Sequence, residues 1–421
     1  MEPLEREGGM RNHEYRRWWW LGIALCAVAR PAVGITIQVD YTYDTGNFFG
    51  AGNPQGAAAG VQAKAALQAA ASYYSSILTD SFSAITVPAP FHSTFPGSTG
   101  TVIWSWDEVF ANPTTGATVD VSNANVPANR YIIYAGASNL AGSTLGVGAA
   151  GGYSWAKDVT GTGGFAAADG SQIDSTTASF KSAVETRGQS SGFSRWGGAI
   201  SFDNTGVTWD FDYTATPVSG ENDFYSVALH ELAHSLGFGE SGSDTQTVWE
   251  SLVSNNTFIG SNSEALHNFV AVPLSPDLAH WAQGTTSVVY GSNTAQETLM
   301  DPAITVGTRK KLTALDAAAL KDIGWSLTTP PGANGDYNNN GVVDAADYVV
   351  WRSRLGQSVT LPNDTTPGTV TQADYTVWRN NFGATSGSGS GSLGGGAVPE
   401  PISMVLIASG AGAFAFVRRR S

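Results

Sequence analysis

The chain has 421 residues, a formal net charge of −14 and only 21 lysines and arginines. This acidic balance argues against a nucleic-acid-binding protein, because such a protein needs a basic surface that follows phosphates. The length allows two or three domains, and the 50 glycines predict a loop-rich fold with many turns.

Residues 1–34 have the pattern of a secretory signal peptide. Arg16 and Arg17 precede the apolar run WWWLGIALCAVA, and small residues near Ala29 and Gly34 suit a signal peptidase. A membrane anchor is the alternative, although the run is short for a spanning helix. We expect the mature chain to lie outside the cytoplasm.

Residues 35–327 predict an α+β domain with one mixed sheet. ITIQVDYTY alternates as a strand does, and GVQAKAALQAAASYY has the apolar spacing of a helix. Strand-like runs follow in TVIWSW, RYIIYAG and GGAISFDNTGVTWDFDY. NDFYSVALHELAHSLGF predicts a second helix that ends at Gly237, and LTALDAAALKDIG predicts a last one that ends at Gly324.

The HELAH segment of the second helix contains candidate residues for a metal centre. His230 and His234 lie one turn apart on the same face, so both imidazoles can reach one ion. Glu231 lies beside them and can contact a metal-bound water without binding the metal. The alternative is a helix with two ordinary surface or core histidines.

The pattern His230-Glu-x-x-His234-x-x-Gly237 resembles that of the metzincin zinc metalloproteases. In that family the glycine turns the chain sharply beneath the metal, in a conformation that costs glycine little. The third ligand usually follows three residues after the glycine, and here that position holds Glu240. A carboxylate can bind zinc, so Glu240 is one candidate for the third ligand.

His280, which is followed by a tryptophan, is the other candidate. In the leishmanolysin-like branch of the metzincins, a long insertion follows the glycine and the third histidine comes in an HW pair before an LM-x-P turn. Leu299-Met300-Asp301-Pro302 resembles that turn, in which the methionine forms a hydrophobic floor beneath the zinc. The resemblance favours His280 over Glu240, with His267 a distant third.

This resemblance implies a zinc endopeptidase. Three neutral histidines leave zinc a fourth position for water, whose pKa the metal lowers to near ~7. Glu231 would take a proton from that water and pass it to the leaving amine. A protein or peptide substrate could add to the edge of the strand in GGAISFDNTGVTWDFDY, although an ordinary sheet strand explains that segment equally well.

After a linker at residues 328–334, residues 335–382 predict a small all-α calcium module. DYNNNGVVDAAD has the pattern of an EF-hand loop, with Asp336, Asn338 and Asn340 at positions 1, 3 and 5 and Asp347 at position 12. Aspartate in place of the usual glutamate, followed by YVVW, resembles a dockerin repeat, and TQADYTVW resembles a second repeat with a poor calcium loop. The resemblance implies bound Ca²⁺ and a cohesin-like partner; a stable spacer is the alternative.

A glycine- and serine-rich tether, residues 383–397, leads to a tail at residues 398–421. In the tail Pro399-Glu400-Pro401 precedes an apolar run and three arginines. This order resembles a PEP-CTERM sorting signal, which an exosortase-type enzyme processes; a plain membrane anchor is the alternative. Both place the bulk of the chain at the cell surface or envelope, with the tail as its membrane contact.

The expected function is therefore that of a secreted or surface-routed zinc endopeptidase. The alternative is a surface binding or adhesion protein built on an inactive metzincin scaffold. Glu231 favours the enzyme, because a binding scaffold has no need of that base.

Overall fold

The computed structural model describes residues 34–190, 192–193, 195–240, 247–292, 294–328, 333–338, 342–366 and 368–384. The predicted sorting signal, the tether beyond Ala384 and all of the predicted signal peptide except Gly34 lie outside these ranges. Among the residues described, no helix combines the length and the apolar character that a bilayer crossing requires.

The described residues form fifteen strands and eight helices. In chain order these are β1 (Thr36–Asp40), α1 (Ala57–Ile77), β2 (Phe91–His92), β3 (Thr101–Ala111), β4 (Thr118–Ser122), β5 (Arg130–Ser138), β6 (Gly146–Ala150), β7 (Gly152–Thr160), α2 (Ala167–Thr186), β8 (Gly197–Asp203), β9 (Trp209–Asp210), β10 (Asn222–Asp223), α3 (Phe224–Ser235), α4 (Val248–Ser251), β11 (Val253–Ser254), β12 (Thr257–Phe258), α5 (Ser261–Leu266), β13 (Val272–Pro273), β14 (Thr286–Val288), β15 (Ala295–Glu297), α6 (Ala314–Asp322), α7 (Ala345–Arg354) and α8 (Gln372–Asn380). Helices and several separate sheets agree with the α+β class.

A mixed four-stranded sheet in the order β1-β5-β8-β6 supports the candidate site. β1, β5 and β8 run parallel, and β6 pairs antiparallel with β8. Both faces of this sheet are covered: Tyr131 and Ile133 pack in the cluster that includes α1 and α3, whereas Ile132 and Tyr134 pack on the opposite side. β6 is an edge strand within the described part of the chain.

β3 belongs to a second, antiparallel sheet, where it pairs with β2, β4 and β7. Its alternating pattern buries Val102, Trp104 and Trp106 in a core shared with α2. The expectation of one mixed sheet is therefore wrong. Alternation shows which face of a strand is buried, but it does not show which strands pair with it.

The three predicted helices of the domain are present as α1, α3 and α6, and α3 and α6 have side-chain N-caps. Asp223 accepts a hydrogen bond from the Ser226 amide at the start of α3, and Thr313 caps α6. α2 is a helix that the sequence analysis did not predict. It is rich in serine and threonine, which have low helix propensity, and it buries only four of its residues: Asp169, Ile173, Phe180 and Val184.

The C-terminal helices α7 and α8 share a small core of their own, formed by Tyr337, Val343, Trp351, Leu361, Val370 and Trp378. Asp347 and Asp374 hold equivalent positions, since each closes a capping box at the start of its helix. The predicted internal repeat is thus visible in the structure of the two helices.

Candidate metal centre

His230, His234 and His280 lie close together in the folded chain. Their Nε2 atoms are 3.1 Å from one another in all three pairs. In the described residues this is the only group of three or more histidine, cysteine or acidic side chains with the geometry to hold a metal ion. Tetrahedral zinc with Zn–N distances of ~2.0–2.1 Å places its ligand nitrogens about 3.3 Å apart, so the cluster has the dimensions of a zinc site.

The two histidines of α3 are oriented by backbone carbonyl groups. Nδ1 of His230 lies 2.9 Å from the carbonyl oxygen of Leu299, and Nδ1 of His234 lies 2.8 Å from that of Phe238. A carbonyl oxygen can only accept, so each Nδ1 carries the proton and donates it. The lone pair of each neutral ring is therefore on Nε2, which points to the common centre.

His280 is oriented by a carboxylate. Its Nδ1 lies 2.8 Å from Oδ2 of Asp277, and Oδ1 of the same carboxylate accepts hydrogen bonds from the Ser275 hydroxyl and, at 2.9 Å, from the Ala279 amide. Burial by itself would raise the pKa of Asp277, but these hydrogen bonds and His280 hold it at about 2. Asp277 is therefore ionised at neutral pH and can keep His280 in the same tautomer as the other two rings.

Burial and, to a smaller extent, the neighbouring histidines lower the pKa of His230 well below its usual value and that of His234 to about 4. Both rings are neutral at pH 7. Three imidazoles whose Nε2 atoms converge form the kind of donor set that binds zinc, so the residues present fit that metal.

Glu231 is buried and faces the edge strand β6. Its carboxylate accepts a hydrogen bond from the Gly148 amide, and burial raises its pKa to about 8. A Cβ on Gly146 would lie 2.6 Å from Oε1 of Glu231, and one on Gly148 would lie 2.2 Å from its carbonyl oxygen. Glycine at both positions is what allows α3 to lie against β6.

Gly237 ends the α3 segment with φ 95°, a conformation that residues with a Cβ rarely adopt. A Cβ there would lie 2.6 Å from the ring of Phe193. The sharp turn brings the carbonyl group of Phe238 back to His234, so the glycine contributes to the orientation of that ring.

Glu240 is not among the residues that meet at the cluster. Its Oε1 lies 3.0 Å from Nη2 of Arg195, and burial raises its pKa although Arg195 lowers it in part. Of the two candidates for a third ligand, the structure brings His280 to the histidines of α3. His267 lies elsewhere, with Nδ1 3.2 Å from the carbonyl oxygen of Val270.

A buried aromatic cluster holds His280 in place, although it is 46 residues from His234. The Trp249 ring centroid is 4.3 Å from those of Phe238 and Phe258, and Trp281 contacts all three rings. Residues 247–281 therefore pack back on the end of α3, and this packing places His280, the residue before Trp281, at the histidine cluster.

Met300 is fully buried and follows Leu299, whose carbonyl oxygen faces His230, and Asp316 fixes the turn that contains both residues. The Asp316 carboxylate accepts hydrogen bonds from the backbone amides of Leu299 and Met300 and from the indole of Trp281. Two carbonyl oxygens of this turn accept hydrogen bonds: that of Leu299 accepts from His230, and that of Met300 accepts from the Trp281 amide. The buried Asp316 thus connects the turn at Leu299 and Met300 with α6.

Part of the predicted calcium loop lies within the residues that the structure describes. Asp336 and Asp347 are fully buried and Asn338 is half-buried, whereas Asn340 lies outside the described residues. Burial raises the pKa of Asp347, and the nearby Asp336 raises it further. Because the charge of Asp336 disfavours the ionised form of Asp347, the pair suits a divalent cation. Asp347 also accepts hydrogen bonds from the Asn338 and Asp344 amides.

Asp277, Asp316 and the two glycines of β6 were not predicted from the sequence. The Asp-x-x-His spacing of Asp277 and His280 was a usable signal, because residues three apart can contact each other in a turn. Asp316 and the glycines gave no such signal, since their partners are distant in sequence. The strand proposed as a substrate edge, β8, lies between β5 and β6, so that interpretation is wrong.

Comparison of the chain with protein-family models, with curated proteins and with solved structures found no match.

Proposed function

We propose that the chain is a zinc endopeptidase of the metzincin type. The observation that supports this best is the set of three Nε2 atoms at 3.1 Å from one another, with the Glu231 carboxylate on the same helix as two of them. A structural histidine cluster would not need all three lone pairs to point to one centre. Glu231 is the base that such a site uses for hydrolysis.

His230, His234 and His280 would hold the metal through Nε2. Zinc there would supply a Lewis acid for the peptide carbonyl group and would lower the pKa of a water molecule to about 7. Glu231 would receive a proton from the attacking water on its carboxylate and return it to the leaving nitrogen. Asp277 and the carbonyl groups of Leu299 and Phe238 would keep the three rings in position.

The free edge of β6 is the place where we propose that a peptide substrate binds. β6 lies against α3 at Glu231, and it pairs with only β8 in the described part of the chain. An extended peptide that hydrogen-bonds to this edge would pass the Glu231 carboxylate. Backbone hydrogen bonds give little side-chain selectivity, so we expect a broad peptide preference.

We also propose the location and accessory parts that the sequence motifs imply: secretion, retention at the cell surface by the C-terminal signal, and a Ca²⁺-binding dockerin-like module that engages a cohesin-like partner. The buried pair Asp336 and Asp347 supports the calcium site.

The experiment is to strip the full chain of metal with a chelator, add back zinc, and follow the cleavage of fluorescently labelled casein. Activity should depend on zinc. Glu231→Gln should lower the rate by about 10²–10⁴-fold, the usual contribution of a general base, without changing the bound zinc. Glu264→Gln, in α5, is the matched control. A Glu231→Gln variant with full activity would refute the catalytic role, and zinc binding without cleavage in the wild type would favour the adhesion alternative.

A further inference from the structure

A cavity of about 330 Å³ lies behind α3, away from the histidine cluster. Tyr225 and Leu229 of α3 line it, and at about 100° per residue they project from the side of the helix opposite to His230 and His234. Tyr73 of α1 also lines it. The cavity is therefore separate from the candidate metal centre, although the two sites share a helix.

Three of the tyrosines that line this cavity are more than nine-tenths buried: Tyr73 is 7% exposed, and Tyr225 and Tyr290 are each 9% exposed. Among the described residues, none of the three hydroxyls has a hydrogen-bond partner, and that of Tyr290 is fully buried. Buried tyrosine hydroxyls usually have a partner. Burial raises the pKa of Tyr73, and Tyr225 and Tyr290, which line the same cavity, raise it further.

The charged residues that line the cavity are both basic, Arg309 and Lys311. Arg309 is neutralised by Asp223, whose Oδ1 lies 2.6 Å from its Nη2. The Lys311 ammonium has neither an ion pair nor a hydrogen bond to the residues that the structure describes. Its pKa is lowered by burial and by Arg309. A cation this enclosed is costly without a counter-charge, in a chain that is acidic overall.

We propose that this cavity is a second binding site and that its ligand is a small aromatic carboxylate. The carboxylate would accept hydrogen bonds from the phenol groups and pair with Lys311, because it offers only acceptors and a negative charge. Leu229 and Val289 would contact the apolar part of the ligand. The volume is at the lower end of the ~300–1,000 Å³ range of small-molecule sites, which limits the ligand to about one ring and a short chain.

The test is a titration of the full chain with 3-phenylpropionate, followed by saturation-transfer NMR of the ligand. The neutral 3-phenylpropionamide serves as the comparison ligand. Lys311→Gln should weaken binding of the acid by about ten-fold, as expected for a lost charge-assisted hydrogen bond, whereas Lys311→Arg should retain it within about three-fold. Lys157→Gln, on the exposed strand β7, is the matched control and should bind as the wild type does.

Tyr290→Phe gives a second variant that should fold, because it removes a hydroxyl that has no hydrogen-bond partner in the part of the chain that the structure describes. It should bind the acid about three-fold more weakly with an unchanged melting temperature. The tripeptide Gly-Gly-Phe and its C-terminal amide distinguish the ligand source: binding of the free-acid peptide indicates a peptide C-terminus, and binding of phenylpropionate alone indicates a free small acid.

Binding of the free-acid peptide and binding of phenylpropionate alone would each support the proposed site. Absence of saturable binding of both acids at about 10 mM would overturn the proposal, as would equal binding of the acid and the amide. Undiminished binding by a folded Lys311→Gln variant would overturn it too. None of these results depends on zinc or on peptidase activity, so the outcome is independent of the function proposed for the metal centre.

Discussion

Three groups orient the proposed zinc ligands, and of these three Asp277 alone is a side chain that mutation can replace. The partners of His230 and His234 are backbone carbonyl groups, which substitution cannot remove. Loss of the partner of a ligating histidine typically weakens metal binding by about 10–100-fold. The Asp277 side chain is 49% exposed, so water can replace part of its hydrogen bond. We therefore expect Asp277→Ala to weaken zinc binding by about ten-fold, the lower end of that range, which corresponds to about 1.4 kcal/mol.

The assay is competition for zinc between the full chain and a chromophoric chelator at pH 7.5. Asp277→Asn separates charge from hydrogen bonding, because the amide oxygen can still accept from Nδ1 of His280 while the negative charge is lost. We expect the zinc affinity of Asp277→Asn to lie between that of the wild type and that of Asp277→Ala. Asp158→Ala, at an exposed position of β7, is the matched control for the removal of a carboxylate.

If Asp277→Ala bound zinc as tightly as the wild type, the orienting role would be refuted. If His280→Ala also bound zinc normally, the three-histidine centre itself would be refuted, since the Nε2 of that ring is one of the three that meet.

Three further predictions concern other parts of the chain. His280→Ala should remove most of the bound zinc, measured by elemental analysis, whereas Glu240→Ala should remove little, because the Glu240 carboxylate is paired with Arg195; the reverse result would make Glu240 the ligand. Burial raises the pKa of Glu108 to about 7, and its Oε1 has no hydrogen-bond partner among the residues described, so ionising Glu108 costs stability. Because the folded pKa lies above the unfolded one, this penalty is absent below pH ~4.5 and complete above pH ~7. Glu108→Gln should therefore gain up to about 3 kcal/mol of unfolding free energy at pH 8 and almost none at pH 4.5, measured by urea titration; an equal gain at both values would contradict the assignment. Asp336→Ala should abolish the heat of calcium binding in calorimetry while zinc content stays constant, and unchanged calcium heat would exclude that loop.

Local patterns in the sequence were enough to predict the parts of the site that depend on helix geometry. The spacing of His230, Glu231 and His234 defines their relative positions as soon as α3 forms, because residues four apart share a helical face. The turn at Gly237 follows equally from a local requirement for positive φ. α1 and α6 were predicted for the same reason, since their apolar spacing is periodic.

Local sequence patterns could not predict the contacts between segments that are distant in the chain. The pairing of β3 with β7 rather than with the mixed sheet depends on which surfaces exclude water together, and alternation does not contain that information. α2 was missed although its buried residues Ile173, Phe180 and Val184 have helical spacing, because serine and threonine dominate the segment.

The sequence by itself determined that two histidines share one face of a helix with a glutamate beside them, and it favoured His280 or Glu240, ahead of His267, as the third ligand. Only the tertiary structure decided between them, because the packing of Trp249, Phe258 and Trp281 brings the distant histidine to α3. The same holds for the cavity behind α3. Its phenols and its lysine come from separate segments, and burial of apolar surface is what assembles them.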